Sequence, residues 1–198
     1  MDSDATSKAT RDLWVRRQIA GFQRLSGCVI EEWMGLEMAL RSNESTADHV
    51  FQDPSIRFLQ ITQLFAGIAG CPRTMGTYQN DMSWGLCIEE CRNTAWSEHL
   101  EAATDGYFRS RKLTELPLGL VGDVSTTLDD NELIEVCLTV AGLRVRLSAG
   151  EVYERTDGGY TVKRPDESIL ISVGDPPWSL LPSGWFGSGP DPAVGQNP

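Results

Sequence analysis

Two ten-residue blocks constrain this chain more than any other feature, because they align without a gap and read as one strand pattern met twice. Phe58-Leu59-Gln60-Ile61-Thr62-Gln63-Leu64-Phe65-Ala66-Gly67 matches Leu133-Ile134-Glu135-Val136-Cys137-Leu138-Thr139-Val140-Ala141-Gly142, each an apolar run that closes on Ala-Gly. A short glycine-containing apolar segment precedes each block, Gly27-Cys28-Val29-Ile30 and Gly122-Asp123-Val124. A further strand pattern follows each, Trp84 to Ile88 and Ser168 to Val173. Such a unit implies a fold of two similar halves, an internal duplication, and carries no chemistry of its own.

The rest of the chain is arranged around these blocks. Trp14, Val15, Ile19, Phe22 and Leu25 recur at helical spacing. They predict an amphipathic helix from Thr10 or Asp12 to Ser26-Gly27, behind a disordered segment 1–9. Residues 28–40 support two readings, since Val29-Ile30 favours a strand whereas Glu31 to Leu40 has helix-forming composition. The expectation is a strand that runs into irregular structure or a short helix. Arg41 to Ser55 is polar and contains Asp53-Pro54, which marks a loop. The first half's longer insertion is placed over residues 31–55. Strands are predicted over 56–65, 74–78 and 84–89, with Gln79-Asn80-Asp81 as the turn between the last two. Residues 93–112 read as a connecting helix with Trp96, Leu100 and Ala103 on one face.

The second half reads as a meander over 119–127, 133–140, 143–153, 160–163 and 168–173, with turns at Asp129-Asp130-Asn131 and Asp157-Gly158-Gly159. Strict alternation in Leu143-Arg144-Val145-Arg146-Leu147 puts both arginines on a wet face. Six of the ten prolines fall within 174–198, where no regular element is expected. The apolar stretch Trp178 to Phe186 is expected to lie against the body. The fold class is therefore α+β, an antiparallel β-sheet in two similar halves with an N-terminal helix and a connecting helix. Its segments are 1–9, a first half 10–92, a connector 93–116, a second half 117–173 and a tail 174–198.

Charge and cysteine usage narrow the function classes. Twenty-eight acidic residues against seventeen basic give a formal charge of −11, which repels phosphate backbones and anionic membranes and attracts a basic partner. No apolar run is long enough to span a bilayer, and Met1 to Ser7 has neither a basic n-region nor an apolar h-region, so a cytoplasmic location is expected. Five cysteines, an odd number, do not describe a disulfide framework.

Catalytic equipment is sparse. Only His49 and His99 are available for acid–base work near neutral pH, and both read as surface residues. Cys87, Cys91 and His99 lack the paired Cys-x-x-Cys spacing of a zinc site. The carboxylate pairs Glu31-Glu32, Glu89-Glu90, Asp129-Asp130 and Asp166-Glu167 fit solvated edges better than a hydrolytic dyad. No phosphate-cradling loop and no Gly-x-Ser-x-Gly elbow occurs. No catalytic residue, metal ligand or cofactor is assigned.

What stands out is Gly76 to Leu86, a polar hairpin tip with an acid, two amides and two aromatics. It supports two readings. Tyr78 and Trp84 are cross-strand partners bracketing a turn, or Tyr78, Asn80, Asp81 and Trp84 form a recognition loop flanked by Glu31, Glu32, Glu89 and Glu90.

The stretches Gly76 to Glu90, Leu147 to Tyr153, Asp157-Gly158 and Asp166 to Leu170 resemble segments of small bacterial proteins, some of them similar to immunity partners of contact-dependent or secreted toxins. That resemblance brings no catalytic motif and implies a binding role. The leading expectation is a non-enzymatic acidic binding protein, an immunity protein that neutralises a cognate toxin domain presenting a basic cleft. The alternatives are a hydrolase or transferase with an unrecognised site, and a scaffold module.

Overall fold

The computed structural model describes residues 2–43, 48–80, 83–91 and 106–174. Among the described residues one helix, α1 (Asp2–Gln23), precedes thirteen strands: β1 (Val29–Met38), β2 (Arg41–Asn43), β3 (Asp48–Val50), β4 (Leu59–Ile68), β5 (Arg73–Asn80), β6 (Ser83–Glu90), β7 (Phe108–Lys112), β8 (Gly119–Asp129), β9 (Glu132–Val140), β10 (Leu143–Ala149), β11 (Glu151–Glu154), β12 (Tyr160–Lys163) and β13 (Ile169–Val173). Nine strands form one sheet in the order β6-β5-β4-β13-β10-β9-β8-β1-β7. An additional β1–β4 pairing closes six of them, β1-β4-β13-β10-β9-β8, into a barrel in which every neighbour is antiparallel. Closure removes the edges that an open sheet of these strands would present.

Alternation puts one face of each strand inside. Val136, Leu138 and Val140 of β9 face Val145 and Leu147 of β10, Ile169 and Ile171 of β13, Ile61 and Leu64 of β4, and Trp33 of β1 in one continuous core. The turns that set this register carry their chemistry in the sequence. Asp130 (φ 44°) and Asn131 (φ 65°) join β8 to β9, and Ala141 (φ 49°) and Gly142 (φ 80°) join β9 to β10. These are two-residue turns with both central residues left-handed, the geometry that matches strand twist.

The two aligned blocks lie in β4 and β9, which are separated by two strands in either direction around the barrel. Their Ala-Gly ends differ. Ala141-Gly142 makes a turn, whereas Ala66-Gly67 stays in β4, which continues to Ile68. Gly67 is needed there because the Glu32 Cγ lies 2.6 Å from where a Cβ would stand.

Several boundaries differ from the sequence-based expectation. α1 begins at Asp2, so Thr10 and Asp12 fall within the helix and segment 1–9 is largely helical. Val15, Phe22 and Leu25 are buried, and Gly21 lets α1 approach Ile88 on β6, whose Cγ2 is 2.6 Å from a Cβ position at Gly21. Gln18 Oε1 accepts the backbone N–H of Ile88 at 2.8 Å, so the helix covers part of the exposed edge of β6. Residues 31–38 are strand despite their helix-forming composition, because pairing with β4 on one side and with β7 and β8 on the other overrides local propensity. The polar loop over 41–55 contains the short hairpin β2–β3. Of the expected connecting helix, 93–105 lies outside the described residues, and Phe108–Lys112 is an edge strand paired with β1. Arg146 is not solvated but 20 % exposed and 3.6 Å from Glu135. The expected packing of 178–186 lies outside the described residues.

The long strand expected over 143–153 breaks at Gly150, packed against Arg164 Cγ and Leu170 Cδ1. Beyond the break, β11–β12 forms a small second sheet over a core of Leu40, Val152, Tyr160, Val162 and Leu170. Gln60 Oε1 accepts the Val152 N–H at 2.6 Å and ties this sheet to the barrel.

Candidate binding face

The residues singled out in the sequence separate into two groups at opposite ends of the β5–β6 hairpin. Tyr78, Asn80 and Trp84 are at the tip, and Glu89 and Glu90 at the base. The register row Trp33–Ala66–Arg73–Glu90 crosses β1, β4, β5 and β6, so Glu31 and Glu32 share the sheet end with Glu89 and Glu90. Asp81 lies outside the described residues.

Tyr78 and Asn80 are turned into the molecule. Tyr78 and Trp84 do not face each other, since Tyr78 pairs with Gly85 and Trp84 with Gln79. The Tyr78 ring fills the space over Gly85, 2.6 Å from where a Cβ would stand, and packs edge-on against Trp14 at 4.1 Å. Its hydroxyl donates to Glu132, a fully buried carboxylate on β9 that also accepts from Arg11 and from Asn80 Nδ2. Burial, and then the Glu132 carboxylate, push the Tyr78 phenol far above its usual range. This arrangement joins α1, the hairpin and the barrel.

The base of the hairpin presents acid to solvent. Glu31 and Glu89 are exposed, Glu90 lies 3.2 Å from Arg73, and Glu32 lies 3.9 Å from Lys112. Beside Glu31, β1 meets β8, and Val29 pairs with Leu120. Both are exposed, at 49 % and 56 %, and Leu118, two residues before Leu120, is exposed at 47 %. Backbone pairing of Leu113 N–H to the Trp33 carbonyl, and the Trp33 Nε1–H donated to Pro117 O at 2.9 Å, hold the 113–118 segment beside Glu31 to Trp33. An apolar patch flanked by carboxylates has the anatomy of an interface, apolar at the centre and charged at the rim. Sequence reasoning missed Val29, Leu118 and Leu120. In Leu118-Gly119-Leu120-Val121 every large residue is apolar, so only the register with β1 tells that Leu120 points out while Val121 points in.

Other polar groups are engaged internally. Glu37, fully buried, accepts from Arg109 Nε at 2.7 Å and Arg111 Nε at 2.8 Å. His49 sits 5.1 Å from the Tyr107 ring, and His99 is outside the described residues. The cysteines are half-buried thiols, and burial pushes those of Cys87 and Cys137 up, away from the reactive thiolate. Among the described residues no group of three or more His, Cys, Asp or Glu side chains could hold a metal ion. No described helix is long and apolar enough to cross a membrane.

One carboxylate is placed for a pH effect. Glu151 is 4 % exposed, with Oε2 lacking a hydrogen-bond partner. Burial first, then the charges of Glu167 and Asp166, push its carboxyl up to about 7. A folded-state value above the unfolded one gives a stability contribution that is complete below the ordinary carboxylate range and lost as pH rises through about 7. Glu151→Gln removes this dependence. Its melting temperature relative to the parent protein is expected to rise from pH 5 to pH 8, and thermal unfolding across that range checks it.

Comparison with known proteins finds no matching family model, no matching curated protein and no matching solved structure.

Proposed function

We propose that this protein is a non-enzymatic binding protein that blocks a basic protein partner, most concretely a toxin domain, as an immunity protein does. The observation that carries the reading is the exposed Val29–Leu120 pair with Leu118 at the same sheet end as Glu31, Glu32, Glu89 and Glu90. The formal charge of −11 favours a cationic partner at long range, and the apolar patch supplies the short-range contact. The cytoplasm is its proposed location. The hairpin tip, at the other end of β5–β6 from this face, joins the hairpin to the barrel, because Tyr78 and Asn80 are committed to Glu132. Trp84 is half-buried and takes a packing role.

Affinity capture from the native cell tests the reading, with the charge-reversed variant Glu31→Lys, Glu32→Lys, Glu89→Lys, Glu90→Lys as the control. All four side chains are partly or fully exposed, so the variant is expected to melt near the parent protein. The parent is expected to retain a basic protein at low salt that the variant does not. Capture of the same protein by both would refute the assignment of the face.

We also read the two halves as copies of one four-strand unit, β1-β4-β5-β6 and β8-β9-β10-β13. In each set every strand pairs antiparallel with the next.

A further inference from the structure

At the barrel end where β4 begins and β13 finishes, the opposite end of β4 from the acidic face, a cavity of about 600 Å³ opens to solvent. Its wall is apolar over Ile56, Phe58, Leu59, Leu116 and Ile171, and Leu59 and Ile171 are register partners. That volume lies within the range of sites that hold small organic ligands.

The polar groups of the wall differ in how far the protein already uses them. Asp53 accepts from the Ser55 N–H at 2.9 Å and its hydroxyl at 2.6 Å, and these bonds hold its carboxyl below the usual range. Glu115 accepts from the Arg111 guanidinium, which lowers its carboxyl as well. Three donor-bearing side chains are left over among the described residues, Gln52, Arg57 and Ser172, and the last two bear on the ligand's charge and burial. Arg57 is exposed, with no ion pair among the described residues. Ser172 is 3 % exposed, and its Oγ has no hydrogen-bond partner. A buried hydroxyl without a partner costs free energy unless something else bonds to it.

We propose that this cavity binds an amphipathic monocarboxylate, its apolar body against Ile56 and Phe58, on the same face of β13 as Ser172, and its carboxylate accepting from Arg57 and Ser172. Among the described residues Arg57 is the single cationic side chain of this wall, and a carboxylate meets its guanidinium with one negative charge. A polyanion such as a phosphate ester is disfavoured by the net charge of −11 and by Asp53 and Glu115 at the wall. A neutral lipid leaves Arg57 unused.

Isothermal titration calorimetry of the full chain with octanoate and with octan-1-ol separates these cases. Octanoate is expected to bind at one site and more tightly than octan-1-ol. Arg57→Ala, at an exposed position, is expected to weaken octanoate roughly tenfold and to leave octan-1-ol unchanged, because a charge-assisted bond is lost. Ser172→Leu fills the cavity from its wall and is expected to abolish binding of both, with melting and near-ultraviolet circular dichroism reporting whether it is folded. The proposal is overturned if octanoate shows no saturable binding, or if Arg57→Ala binds octanoate as the parent does. Equal affinity of the parent for the two ligands would likewise sink it.

Discussion

Truncation of Trp33 to alanine is expected to lower the unfolding free energy by about 3 to 5 kcal/mol, the range for removing a large buried aromatic. Trp33 is fully buried in the barrel, and its Nε1–H donates to the Pro117 carbonyl at 2.9 Å. Loss of the indole therefore opens a cavity and orphans an acceptor of the segment that lies beside Glu31. Trp33→Phe weights the second effect, since it keeps most of the apolar volume and removes the donor. It is expected to cost about 1 to 2 kcal/mol. Equilibrium denaturation of the three proteins measures both steps. A Trp33→Ala cost below about 1 kcal/mol would mean that this side chain is not in a packed interior.

Removal of Glu132 is the second large effect. This carboxylate is fully buried and accepts from Arg11, Tyr78 and Asn80, so Glu132→Ala leaves three donors without their acceptor. Breaking a buried charge pair by deleting one partner costs about 3 to 5 kcal/mol. Arg11 is about a third exposed and recovers some hydration, which places the expectation at the lower end of that range. Tyr78→Phe deletes one donor only and is expected to cost about 1 kcal/mol. Amide exchange gives the spatial readout. Glu132→Ala should speed exchange in β5, β6 and α1 more than in β10 and β13, because the network ties the hairpin and helix to the barrel rather than closing the barrel itself.

The parts of the fold that the sequence makes legible are those in which pattern and turn chemistry agree. Strands β8 to β10 show it: Val136, Leu138 and Val140 alternate with polar residues, and Asp130-Asn131 and Ala141-Gly142 supply left-handed turn residues. β1 hides its nature because Glu37 faces inward. A buried glutamate reads as a surface residue until Arg109, 72 residues later, and Arg111 are placed beside it by the β1–β7 pairing. The same limit applies to the candidate face. Four of its glutamates are visible as pairs in the sequence, but Val29 and Leu120 become neighbours only through a register formed across 91 residues. The tip of β5–β6 is conspicuous in composition, and its conspicuous groups serve an internal carboxylate. Polar and aromatic residues on a turn suit an interface and a buried network equally, and spacing alone does not separate the two.

The salt dependence of association tests the binding role most directly. With the captured basic partner immobilised, the association rate constant of the parent protein is expected to fall as ionic strength rises while the dissociation rate constant stays nearly fixed, because long-range steering acts on the encounter. The fourfold charge reversal should flatten that slope and slow association at low salt, whereas Leu120→Ser should act mainly by speeding dissociation. An association rate constant that does not change with salt, or one that the charge reversal leaves untouched, would contradict the role assigned to the acidic face.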